Sequence, residues 1–183
     1  MKKTISNPPP VSNMTETMEN QFTIEMCDAS IKRHSDEPQV FALRADAKSF
    51  MKDHKGAAED YNSAIALDPE NPYYYYHSSI EKSYLMDYDG AKADITRSIE
   101  IRPCFAPSHL VKGLLEYYTG NFTTALIDFD ETIILDPTQA LAWFCKGVIK
   151  YTISDGKEGQ EDVEKGRELG FNETFKVNRG QWR

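Results

Sequence analysis

The sequence predicts an all-α fold built from a repeated pair of antiparallel helices, and three observations carry that prediction. Pro69, Pro103 and Pro137 stand 34 residues apart, in the parallel segments LDPENP, IRPCFAP and LDPTQA. Upstream of each proline a small residue and an apolar one sit four apart: Ala57 with Tyr61, Ala91 with Ile95, Ala125 with Phe129. That is helical spacing. Two further small slots recur, one at Ala64, Ser98 and Thr132, the other at Ala45, Ser79, Gly113 and Gly147. Helices approach closely only where the side chain between them is short.

In chain order, residues 1–20 are rich in Asn, Thr and Met and contain NPPP, so they are expected to be a disordered tail. Residues 22–37 place Thr23, Cys27 and Ser30 in the small, apolar and small slots one period before the first full unit. They predict an unpaired second helix, a half-repeat covering that unit. Full repeats occupy 38–71, 72–105 and 106–139, with Asn71 expected to cap a helix whose first residue is Pro72. Residues 140–171 form a divergent repeat with Gly159 and Gly166 in the two alanine slots and Phe171 in place of proline. Interior glycine costs about 1 kcal/mol relative to alanine, so this last helix is expected to be the weakest. Residues 172–183, carrying Phe175 and Trp182, are either a closing helix or a tail.

Over about 38–171 this register resembles the tetratricopeptide repeat (TPR), whose 34-residue helix pairs carry small residues at these slots and a proline at the end, and with the half-repeat the expected domain spans 21–171. Trp143 falls where the family's tryptophan falls. Departures occur where the family has leucine and tyrosine: here stand Arg44, Ser78, Lys112 and Lys146, then Lys48, Lys82, Glu116 and Lys150. The resemblance implies a right-handed superhelix of antiparallel pairs, with three full repeats, a divergent fourth and an N-terminal half-repeat. It also implies that first helices line a concave face, and that the protein is a non-enzymatic interaction module, an adaptor, scaffold or assembly factor.

Four consecutive tyrosines, Tyr73 to Tyr76, would fan around most of a helix, so they cannot share one core. The resemblance gives Tyr75 the core slot that holds Trp143, places Tyr74 between units, and turns Tyr73 and Tyr76 to the groove. Following the same slots, the peptide-binding groove is expected at Tyr73, Tyr76, His77, Ile80, Leu110, Leu114, Tyr117, Phe144, Val148 and Tyr151. Substituting Glu81, on the same helix as the tyrosines, is expected to change little. The groove's occupant stays open: a peptide or protein partner, the chain's own N- or C-terminal segment, or a second copy in a homo-oligomer. A substrate-holding chaperone is the alternative use of such a face.

Charge and motifs narrow the partner. With 21 basic and 29 acidic residues the net charge is −8, which points away from nucleic acid and toward an apolar or basic partner. No window approaches the ~18 apolar residues of a membrane helix. Three cysteines without a C-x-x-C pattern fit reduced thiols in a cytoplasm. No catalytic motif or paired metal-ligand spacing occurs, so no catalytic residue, metal or cofactor is expected. The TPR clamp for acidic chaperone tails needs Lys, Asn and Arg donors; of the matching positions Ala42, Asp46, His77, Pro107 and Val111 only His77 could donate, and Asp46 would repel such a ligand. Finally, Asp60, Asp94, Asp128 and Asp162 each stand sixteen residues after Arg44, Ser78, Lys112 and Lys146. These are expected to face each other within a pair, as three ion pairs and one hydrogen bond.

Overall fold

The computed structural model describes residues 15–33, 36–154 and 158–171. Among these residues there are nine helices and no strand: α1 (Glu16–Lys32), α2 (Pro38–Phe50), α3 (His54–Leu67), α4 (Pro72–Tyr84), α5 (Tyr88–Ile101), α6 (Ala106–Tyr118), α7 (Phe122–Leu135), α8 (Ala140–Ile153) and α9 (Gln160–Glu168). None is long and apolar enough to cross a membrane. The chain divides into two compact units, one ending at Glu70 and the other beginning at Asn71.

In the first unit α1 starts at Glu16, earlier than the half-repeat expected at 22, because Thr15 caps it by accepting from the Met18 amide at 3.4 Å. Residues 16–20 of the expected tail are therefore helical, while residues 1–14 lie outside the described residues. Cys27, buried as its slot requires, faces α2. In the α2–α3 pair the small slots Ala45, Ala57 and Ala64 close around Tyr61, all at 0% exposure. The Tyr61 hydroxyl donates to Asp46. Arg44 grips the Asp60 carboxylate with Nε at 2.8 Å and Nη2 at 2.6 Å, and extends Nη1 to Asp28 of α1 at 2.5 Å. Lys48, four residues on, adds a second cation to Asp60 at 2.7 Å. One aspartate and one arginine thus join all three helices.

The second unit repeats the arrangement. Ile95 and Phe129 are fully buried against Ala91 and Ala125, and Ser98 and Thr132 are equally closed off. Asn71 caps α4 by accepting from the Tyr73 amide at 3.1 Å, with Pro72 at the first helical position. Ser78 donates to Asp94 at 2.6 Å and Lys112 to Asp128 at 2.8 Å, as expected. The fourth expected pair does not form. Lys146 instead reaches Asp130 on α7 at 2.6 Å, and Asp162 is taken by Lys150 at 2.7 Å. Lys150 holds the place that Lys48 and Lys82 hold in their pairs, where Lys82 stands 2.5 Å from Asp94. In the α6–α7 pair that place is Glu116, so Asp128 keeps Lys112 alone. Its Oδ2 is buried without a hydrogen-bond partner among the described residues, and burial pushes its carboxyl up.

The glycines of the last pair stand where the backbone turns or where two backbones approach closely. Gly159 is not interior: it caps α9 with φ +93°, a left-handed conformation. A Cβ on Gly147 would lie 2.6 Å from the Gly159 carbonyl oxygen and 2.6 Å from the Val163 amide nitrogen. One on Gly166 would lie 2.9 Å from the Ala140 carbonyl oxygen and the Phe144 amide nitrogen. These are backbone-to-backbone approaches with no room for a methyl group. Gly147→Ala and Gly166→Ala should therefore lower the melting temperature, by roughly 1–3 kcal/mol of overpacking, where helix propensity alone predicts a gain of about 1 kcal/mol. Thermal denaturation monitored by circular dichroism decides the sign.

Glu116 is tied elsewhere, accepting from Lys92 of α5 at 2.8 Å and from Asn121 at 2.6 Å. Burial alone pushes its carboxyl up, but these hydrogen bonds and the charges of Lys92 and Lys112 outweigh it and leave it below its ordinary value near 4.5. Folding thus favours the ionised form, and this contribution is present above ~pH 4.5 and lost as pH falls through the folded value. Glu116→Gln should melt lower than the wild type at neutral pH. The gap should close as the buffer is taken below ~pH 4.5, and melting curves across that range measure it.

Candidate functional site

The expected groove lies within the second unit, on α4, α6 and α8, and the structure sorts its residues into three depths. Tyr73 and Tyr151 are open, at 41% and 47% exposure. Tyr76, His77, Ile80, Leu110, Leu114 and Val148 are half-buried. Tyr117 and Phe144 are buried, which corrects their expected role as open lining. Tyr117 packs beside Phe122 at 5.8 Å between ring centroids, and the Phe171 ring sits 4.4 Å from that of Phe144. These two rings are the floor, and Leu110, Leu114 and Val148 pack on the same apolar cluster above them. Phe171, where the repeat pattern has proline, closes one end of that cluster.

The tyrosine run divides differently from expectation. Tyr74, not Tyr75, is the core residue at 3% exposure, while Tyr75 is half-buried. The cause is visible in the equivalent slots. Ser108 and Ala142, each 34 residues further along from Tyr74 or from one another, are fully buried. The next slot points instead over the preceding turn: His109 Nε2 donates to the Pro103 carbonyl at 2.8 Å and Trp143 Nε1 to the Pro137 carbonyl at 2.9 Å. A large polar-tipped side chain suits that place because its ring covers the turn while its donor satisfies a carbonyl. Glu81, expected to be an indifferent surface position, is 2% exposed.

Tyr76 belongs partly to the core. It packs against the Ile95–Leu115 cluster with Val111, and meets the Phe105 ring edge-on at 5.5 Å. Burial pushes its phenol up. His77 lies between Tyr73, at 4.1 Å between centroids, and Tyr76, at 4.9 Å. Phe105 and Arg102, whose guanidinium stands 5.0 Å over the Phe105 ring, extend this aromatic group. Sequence reasoning assigned them only to a turn; the available signal was an aromatic residue directly before the α6 start. Among the described residues, no group of three His, Cys, Asp or Glu side chains is placed to hold a metal ion.

The chain matches no protein-family model and no curated protein sequence. Solved structures do match. MamA superposes with a TM-score of 0.77 at 15% identity, over 85% of this chain and 95% of that one. YrrB, described as a TPR protein with an unusual peptide-binding site, gives 0.72 at 18% identity, over 83% and 78%. The first TPR of Spaghetti (RPAP3), bound to the HSP90 peptide SRMEEVD, gives 0.63 at 15% identity, over 66% and 95%. At such identities the likeness is one of fold, and the fold is of the TPR type.

The depths found here set an order of stability losses. Tyr74→Ala should cost about 3–5 kcal/mol, as expected for a buried aromatic, whereas Tyr73→Ala should stay within about 0.5 kcal/mol. Tyr76→Ala should fall between them. Urea midpoints of the three variants test the order, and a Tyr76→Ala loss equal to that of Tyr74→Ala would make Tyr76 wholly a core residue.

Proposed function

We propose that this TPR-type protein is a non-enzymatic interaction module whose second unit binds an apolar or aromatic segment of a partner protein. One observation carries the reading: α4 presents an open Tyr73–His77 aromatic pair, and half-buried Leu110, Leu114 and Val148 of α6 and α8 pack on one apolar cluster whose buried members include Tyr117 and Phe144. Contiguous half-exposed apolar surface of this kind marks interaction sites more often than plain solvent boundary. The likeness to YrrB and to the Spaghetti (RPAP3) repeat, whose descriptions mention a peptide site and a bound peptide, supports the same use of the fold.

The ligand chemistry differs from that of a chaperone tail. His77 is enclosed by two tyrosine rings, Asp46 is engaged by the Tyr61 hydroxyl, and Ala42 and Val111 offer no side-chain donor. A carboxylate-rich peptide would find few cationic partners at these positions. The anchors are instead Tyr73 and Leu114, an aromatic lid and an aliphatic seat, so the recognised segment carries apolar side chains. We place the protein as an adaptor that holds such a segment.

Peptides selected from a displayed library on the wild-type protein provide the probe. Their affinity, read by fluorescence anisotropy, should fall at least about tenfold in the double variant Tyr73→Ala/Leu114→Ala, in line with losses of ~2 kcal/mol at interface anchors. Circular dichroism controls for folding. Unchanged affinity would place the binding surface elsewhere.

A further inference from the structure

Helix α1 carries a second surface, remote in sequence from the groove and independent of its reading. Its inner side packs on α2 through Cys27. Its outer side shows Met18, Phe22 and Met26, spaced four apart and exposed at 43%, 43% and 52%. Four-residue spacing puts them in one stripe, with Ala29 next along the same line. The stripe runs between exposed polar residues, among them Glu19, Gln21, Glu25 and Asp28. Single exposed apolar residues are ordinary, but an uninterrupted stripe is a contact surface.

The stripe is self-complementary. Laid antiparallel against its own copy with Met26 on Met26, the helix sets Phe22 over Ala29 and Ser30, a large side chain over two small ones, on both sides of the two-fold axis. The same register sets Glu19 opposite Arg33. Among the described residues the Glu19 carboxylate and the Arg33 guanidinium form no ion pair, and Arg33 is held only by Nε donating to the Ala29 carbonyl at 3.0 Å. Acidic residues also crowd the first turn of α1 and Lys32 stands in the last, so antiparallel copies bring unlike ends together. A parallel arrangement would set like ends side by side.

We propose that α1 is a homotypic docking surface, and that its partner is α1 of a second copy of this chain in antiparallel register. At 17 residues the helix is about 25 Å long, and two such stripes bury on the order of 1,000 Å² at most. That is the lower bound for a specific interface, so the dimer is weak and reversible, forming in the micromolar range. Isologous pairing closes on itself and stops at two copies.

Sedimentation velocity of the full chain from ~1 to ~200 µM tests the proposal. The wild type should pass from monomer to dimer across that range and go no further. Phe22→Glu should weaken association more than about thirtyfold, and Met26→Gln, which keeps a good helix former, about tenfold. Glu19→Arg and Arg33→Glu should each weaken it severalfold through like-charge contacts, and the double exchange Glu19→Arg/Arg33→Glu should restore it. Circular dichroism checks that each variant keeps its helix content. A wild type that is monomeric throughout overturns the proposal. Association indifferent to Phe22→Glu and Met26→Gln, or a double exchange that restores nothing, overturns it as well.

Discussion

Every helix pair in this protein depends on two backbones coming close enough that one side chain fills the space between them. Where small residues line the seam, a single larger group, Tyr61, Ile95 or Phe129, is sealed off completely. The seam leaves no space for a second layer of large residues, so the remaining apolar surface is pushed outward to neighbouring pairs. That is why stability in such arrays is additive between neighbours and why no one core serves the whole chain. The buried aspartates are a corollary. Asp60 and Asp128 sit beside these seams at low exposure, and each needs a cation from the facing helix. Such pairs return much of their Coulomb energy as desolvation, so their main effect is to hold the two helices in one axial register.

The period, the slots and the paired helices were legible because small residues at helix crossings are a steric necessity and leave a trace every 34 residues. The fillers of variable slots were harder. Tyr74 and Tyr75 are chemically identical in the sequence, and only the direction of neighbouring slots, over a turn for His109 and Trp143, tells which one is core. Lys146 and Lys150 are likewise the same residue one turn apart, and the choice of carboxylate is decided by Asp130 on the preceding helix, which a single-repeat comparison does not include. Gly147 was read correctly as a close-approach slot, but Gly166 was weighed only by its helix propensity. Helix propensity counts a glycine by its own backbone freedom, whereas Gly147 and Gly166 are determined by the backbone that lies across from them. Lys52 and Met86 show the converse: both adopt positive φ, 66° and 62°, at the turn place where Gly120 stands in the next pair, with nothing in their side chains announcing it.

For the candidate groove the sequence pointed to helices α4, α6 and α8 but not to how deep each side chain sits. Equivalent first-helix positions face the same way whatever residue they hold, and Leu110, Leu114 and Val148 pack on one apolar cluster. Whether a ring at such a position is lining or floor depends on the size of the side chain that packs over it. Phe171 shields Phe144 because it replaces the repeat's proline with a large ring, and Phe122 does the same for Tyr117. Tyr73 stays exposed although the His77 and Tyr74 rings lie beside it.

The cysteines illustrate how completely such packing can sort identical groups. Cys27 and Cys145 both lie in helix seams, where burial pushes their thiols up, in the case of Cys145 to about 12. Cys104 lies in the exposed turn between α5 and α6. Thiolate, not thiol, is the reacting species, so a maleimide dye or a biotin tether at neutral pH goes to Cys104. The folded protein thus comes with one natural attachment point, in a turn three residues after the α5 end, through which it can be immobilised or labelled without a foreign residue.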